Sequence, residues 1–196
     1  MSKTTLVTNT SSNQPSQGTP IIVAWIDQTI GEKGAHESMK DHFEALSSFI
    51  TEWLYFKSSD DFVSYIENSP NVKLITVMSG GMSRLLVPKY SNLVILHSIY
   101  VFCADVELAR MSMANEIKVK GIFNIEDDLY EQMADNLSKL LVEEGIALAN
   151  LDERNLAKLN YKEAKRLLST QARIVNQDEK KARIEEIDNR LDQLLA

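Results

Sequence analysis

The hexapeptide Ile21-Ile-Val-Ala-Trp-Ile26 constrains the fold more than any other part of the chain. In an extended strand successive side chains point to opposite faces, so Ile21, Val23 and Trp25 share one face and Ile22, Ala24 and Ile26 the other. Both faces are apolar, and such a strand has no side to offer water. It belongs inside a sheet covered by helices on each side. Ser98-Ile-Tyr-Val-Phe-Cys103 repeats the pattern.

Helix-like stretches alternate with these runs. Met39, Phe43, Leu46 and Phe49–Ile50 recur at helical spacing and predict a helix over 37–49, followed by a short strand, Trp53-Leu-Tyr-Phe56. Ser58-Ser-Asp-Asp reads as a helix start with Phe62, Tyr65 and Ile66 on the buried stripe, and Asn68-Ser-Pro70 as its stop. A third strand, Val72–Met78, runs into the tight turn Ser79-Gly80-Gly81, and a short helix carries Leu85, Leu86 and Val87 to near Pro88. After the fourth strand, Asp105 is placed to cap a helix containing Leu108, Met111 and Ile117. The fifth strand is Val119–Phe123, and its helix starts at Glu126-Asp-Asp128, where acidic residues suit the positive end of the helix dipole.

Five strands alternating with helices predict an α/β protein, a three-layer flavodoxin-like fold with a parallel five-stranded sheet in the order 2-1-3-4-5. The Trp53–Phe56 strand is then an edge. Flanking segments set the domain limits. Nine of residues 1–20 are Ser or Thr, which predicts a disordered tail. The α/β domain is expected over 21–144. Residues 145–196 carry no strand signal and a net charge of +1 against −8 for the remainder. They predict a C-terminal helical hairpin, about 150–174 and 178–195. Ile184, Ile187, Leu191 and Leu194 follow one another at the spacing of a coiled-coil seam, so these helices either pair with a partner chain or pack within their own.

In an open α/β sheet a ligand sits beyond the carboxyl ends of the strands. Those ends place Asp27, Ser79, Gly80, Gly81 and Asp105 together as candidate ligand-binding residues. The amides of Ser79-Gly80-Gly81 are placed to bind an anion; alternatively the glycines serve only a sharp turn into the helix. Gly31 and Gly34 form no phosphate fingerprint, and Ser79 lacks the Gly-x-Ser-x-Gly frame of a nucleophile. Cys103 reads as a buried, inert thiol. One cysteine and three scattered histidines, His36, His42 and His97, support neither a metal centre nor a disulfide framework. A net charge of −7 argues against binding a nucleic-acid backbone. No apolar run approaches the roughly 20 residues that span a bilayer, and the first residues lack the apolar core of a secretory signal. A cytoplasmic protein without cofactor or membrane partner is expected.

Ile22-Val-Ala-Trp-Ile-Asp27, Leu74-Ile-Thr-Val-Met-Ser-Gly80, Val87-Pro88, Ser98–Cys103 and Lys118-Val-Lys-Gly-Ile-Phe123 together resemble a receiver-like domain. That domain stands at the front of multidomain invertebrate proteins, ahead of kinesin-light-chain-type tetratricopeptide repeats or an arginine-specific ADP-ribosyltransferase domain. The resemblance covers about 21–135 and carries over no catalytic residue. The stretch from Leu148 through Tyr161 and Leu168 to Ile174 looks like one tetratricopeptide helix pair.

Measured against a phosphate-accepting receiver, Asp27 has no adjacent acid. Met78-Ser79 stands where the acceptor aspartate belongs, Cys103-Ala104 where a hydroxyl is expected, and Lys120 lies inside its strand. The expectation is a non-catalytic pseudo-receiver, a signalling or scaffold module that binds a protein partner or a second copy through its C-terminal helices. The alternative is a nucleotide- or NAD-binding protein or enzyme of the Toll/interleukin-receptor type. It needs a glutamate at the strand ends, and Glu107 is its nearest candidate.

Overall fold

The computed structural model describes residues 18–30, 37–69, 71–113, 115–170 and 176–194. The polar tail (as far as residue 17), the Gly31 and Gly34 pair, His36, Pro70 and Ile174 lie outside these residues. The chain divides into two compact units, Met1–Ile125 and Glu126–Ala196.

The first unit alternates β1 (Ile21–Ile26), α1 (Glu37–Glu44), β2 (Ile50–Phe56), α2 (Ser59–Asn68), β3 (Lys73–Ser79), α3 (Gly80–Tyr90), β4 (Leu96–Phe102), α4 (Val106–Met113) and β5 (Val119–Phe123). All strands are parallel and lie in the order β2-β1-β3-β4-β5, the flavodoxin-like arrangement read from the strand pattern. All six residues of β1 are buried. Its even face, Ile22, Ala24 and Ile26, joins one apolar cluster with Phe62 and Ile66 of α2, Met82, Leu86 and Val87 of α3, and Ala109 and Met113 of α4. On the opposite face Phe43 of α1 meets Trp25 of β1 edge-on, with ring centroids 5.5 Å apart, and then Trp53 of β2 at 6.4 Å. The sheet therefore has helices on both sides.

Local chemistry sets several boundaries. The side chain of Ser58 accepts the amide of Asp61, capping α2 where Ser58-Ser-Asp-Asp predicts a start. α1 ends at Glu44, five residues before the predicted limit, and β2 starts at Ile50. Ser47 lies between them, its hydroxyl accepting the Phe49 amide, the local bond that makes serine favour turns over helix interiors. α3 continues two residues past Pro88. The missing proline N–H leaves only the Arg84 carbonyl without its helical donor, and in the last turn that loss is small.

The second unit is all helical: α5 (Glu126–Asn150), α6 (Arg154–Thr170) and α7 (Gln177–Gln193). α5 is a single helix of 25 residues, so residue 144 lies inside an element and the division between units falls at its start. α5 ends in a turn about Asp152, whose φ of 62° is left-handed. The Asp152 amide donates to Ala149 and the Glu153 amide to Leu148, the paired bonds of a Schellman cap. α6 runs antiparallel to α5: the Ser138 hydroxyl donates to the Ala164 carbonyl at 2.9 Å, and the ring of Tyr161 lies where a methyl on Gly145 would stand. α7 runs back along α6, with Lys165 on Asp188 at 2.6 Å and Lys180 on the Ser169 carbonyl at 3.3 Å. Asp135 of α5, buried, accepts from Lys139 at 2.7 Å and from Arg183 of α7. Among the described residues no helix is long and apolar enough to cross a membrane.

Tyr55 ties α1 to the β2 edge by donating to Glu44 at 2.8 Å. Burial first, then the Glu44 carboxylate, raises its phenol above the ordinary value. The unfolded chain therefore loses this proton first, so the stability it contributes is complete at neutral pH and falls as pH rises past about 10. Tyr55→Phe should cost about 1 kcal/mol at pH 7. In urea titrations at pH 7 and above 10, the variant should lose less stability between the two than the parent does.

Candidate functional site

The sheet reverses its strand order between β1 and β3, where a flavodoxin-like fold opens a crevice at the carboxyl ends. Ile26 is level with Met78 and Ser79 with Phe102, so Asp27, Ser79 and the residues after β4 are neighbours along one rim. Each predicted rim side chain is already engaged. One Asp27 carboxylate oxygen accepts both the amide and the hydroxyl of Thr29, at 2.8 Å each. The Ser79 hydroxyl accepts the Met82 amide at 3.5 Å and caps α3. Asp105 accepts the Leu108 amide at 3.0 Å, which is the helix-capping role the sequence assigns it.

Ser79-Gly80-Gly81 is not a tight turn. β3 ends at Ser79 and α3 begins at Gly80 with nothing between them. Neither glycine adopts a left-handed φ, so conformational freedom does not explain them. Gly80 is needed for close approach: a Cβ there would lie 2.9 Å from Cys103 Cβ. Gly81 is exposed, and a methyl on it meets nothing within 4 Å.

Cys103 is the residue whose setting differs most from its sequence reading. β4 stops at Phe102, and Cys103 stands just past it, half-buried on the rim. Its thiol donates to the Asp105 carbonyl at 3.4 Å. Burial and then the Asp105 carboxylate push the thiol pKa up, while Arg84 pulls it down. Arg84 escapes a motif search, yet it stands one helical turn after Gly80, on the side of α3 that reaches Cys103. His97 bonds to Ser98 and His42 packs edge-on against Phe43, both away from the rim residues in sequence and role. Among the described residues no group of three or more His, Cys, Asp or Glu side chains converges as metal ligands would.

The predicted seam on α7 is divided. Ile187 is buried, while Ile184, Leu191 and Leu194 are each half-buried.

Compared with family models, curated proteins and solved structures, the chain matches none.

Two expectations follow from this rim. Gly80→Ala should destabilise the protein by about 1–3 kcal/mol through overpacking against Cys103. Gly81→Ala should cost nothing and gain up to about 1 kcal/mol of helix propensity. Thermal melts of the two variants should thus move in opposite directions. Cys103 should react with iodoacetamide more slowly at pH 8 than a free thiol does, because less of it is thiolate. Asp105→Asn, which keeps a good helix cap while removing the charge, should speed the reaction. A faster reaction in the parent than in the variant would contradict the assigned electrostatics.

Proposed function

We propose that the protein is a non-catalytic, pseudo-receiver module that acts in the cytoplasm through protein–protein contacts. The observation carrying this reading is the use made of the rim. Asp27, Ser79 and Asp105, the side chains a bound phosphate, metal ion or nucleotide would have to recruit, each accept a backbone amide of their own loop or helix. Releasing any of them leaves a helix or turn uncapped, at about 0.5–2 kcal/mol each. Where a receiver holds its acceptor aspartate, β3 ends in Met78-Ser79. Contact with a protein partner or a second copy is assigned to the C-terminal helices, through the half-buried Ile184, Leu191 and Leu194. The NAD-consuming alternative requires a glutamate on the rim. Glu107, its nearest candidate, is paired with Arg110 at 2.9 Å on the exposed side of α4, and no observation favours that reading.

The test uses the full chain. Acetyl phosphate with magnesium should leave its mass unchanged, and ATP, GTP or NAD should leave its melting temperature unmoved. A gained phosphoryl group or a nucleotide-dependent shift would overturn the reading. Sedimentation then separates the modes of contact: a dimer at tens of micromolar that dissociates on Leu191→Glu assigns the seam to self-pairing.

A further inference from the structure

The helix after the fourth strand is expected to contain Leu108, Met111 and Ile117; α4 ends at Met113 and buries none of the three. It buries Ala109 and Met113 instead. Leu108 and Met111, three residues apart and hence on one side of the helix, face solvent, with Met111 81% exposed. Ile117 lies in the following loop at 89% and Val94, in the loop before β4, at 97%. The two loops are joined by Lys118, whose ammonium donates to the Leu93 carbonyl at 2.6 Å. On the neighbouring α3, Leu85 is exposed as well. α3 and α4 bury their inner sides in one cluster against the same sheet face, so their outer sides look away from the sheet together. A patch of exposed large apolar side chains gathered on one face marks a contact surface, whereas scattered ones do not.

Charge identifies what fits it. The chain carries −7, but residues 80–120 hold five Lys or Arg and three Asp or Glu, a local +2. Arg84 and Lys89 flank Leu85 on the exposed side of α3, and among the described residues neither is paired with a carboxylate. Glu107, beside Leu108, is paired with Arg110 at 2.9 Å, so apolar side chains on the outer sides of two neighbouring helices, with the unpaired Arg84 and Lys89 along the α3 side, suit an amphipathic helix that carries acidic residues on its flank. An anionic bilayer is a poorer match, since the remaining acidic chain is repelled by it. A second copy is poorer too, because the acidic start of α5 leads into apolar residues that are already buried, and on α7, the other helix rich in acidic residues, Ile187 is buried and Ile184, Leu191 and Leu194 are half-buried.

Resting on the reading of the protein as an interaction module, we propose that the outer face of α3 and α4 docks an acidic amphipathic helix of a partner protein. Leu85, Leu108 and Met111 take its apolar side, and Arg84 and Lys89 its carboxylates.

Two fluorescent designed helices, each about five turns long with a leucine stripe, test this against the full chain by anisotropy. One has Glu on its flanks and the other Lys. Net charge alone favours the Lys helix; the local charge of this face favours the Glu helix. The Glu helix should bind more tightly. Its affinity should fall at least about tenfold, a loss of about 1.4 kcal/mol, in Leu108→Ser/Met111→Ser and again in the surface variant Arg84→Glu/Lys89→Glu. Tighter binding of the Lys helix overturns the proposal. So does an unchanged affinity in both variants, which removes this face while leaving the interaction-module reading standing. Binding of the chain to phosphatidylserine–phosphatidylcholine vesicles, abolished by the same variants, reassigns the face to a membrane and also overturns it. The module reading itself falls by a different route, through phosphoryl gain or a nucleotide shift.

Discussion

A strand with no wet side dictates how this molecule is built. β1 buries all six of its side chains, so it must have a strand on each edge and helices above and below. Burying an isoleucine-sized side chain contributes about 1.5–3 kcal/mol, and β1 supplies three isoleucines, a valine and a tryptophan to two separate packing layers. Placing it inside the sheet, with β2 and β3 as its neighbours, sets the site of strand reversal. β2 lies on one side of β1 and β3 on the other, which puts the end of β1 beside the end of β3 at the rim. The core and the candidate site thus have one origin: the strand that has to lie inside the sheet is a strand that ends at the crevice.

The rim then illustrates a competition for polar atoms. A helix that begins directly at a strand end leaves its first amides without intrahelical partners. α3 begins this way and α4 three residues past the end of β4, and the nearest oxygens, on Ser79 and Asp105, each accept one of these amides. An oxygen used in this way is turned toward its own helix, and a ligand is left with the remaining acceptor sites of the group. Gly80 adds a steric limit, since the space in front of it is filled by Cys103. A binding fold can keep its scaffold while its rim is used internally, because sheet topology depends on apolar pattern and capping depends on a few oxygens.

How much was legible follows from which forces act locally. β1, β3 and β4 were placed to within two residues because runs buried on both faces are unmistakable in composition. The start of α2 was legible because a serine cap acts within three residues. α1 was read too long, since Leu46, buried beyond its end, extends the helical spacing while packing from a turn. The facing of α4 was not legible: hydropathy ranks Leu108 and Met111 above Ala109, and only packing against the sheet shows that the small residue lies inside. Asp27, Ser79 and Asp105 were correctly placed at strand ends, yet no pattern reveals whether their oxygens face outward or toward their own backbone. The Gly80–Cys103 contact joins residues on different strand ends, and neither residue carries any local sign of the other.

Within the helical unit the balance of forces is different, and it bears on how contacts there are made. α5 and α6 bury ten and six residues, against one for α7. α7 is instead held by charge: Arg183 on the buried Asp135, and Asp188 on Lys165. Exposed ion pairs contribute little, but a buried carboxylate stripped of its cation is costly, so Arg183 and Asp135 fix the position of α7 more firmly than its apolar residues do. Asp135 keeps Lys139 of its own helix when α7 leaves, and local stability follows buried apolar contact, so α7 is the element of this unit that separates at least cost. The half-buried Ile184, Leu191 and Leu194 lie on that same element. A seam carried by a helix held mainly through charge is open to exchange in a way that one sealed by α5–α6 packing is not, and this is the physical ground for proposing contacts through α7 rather than through its better-buried neighbours.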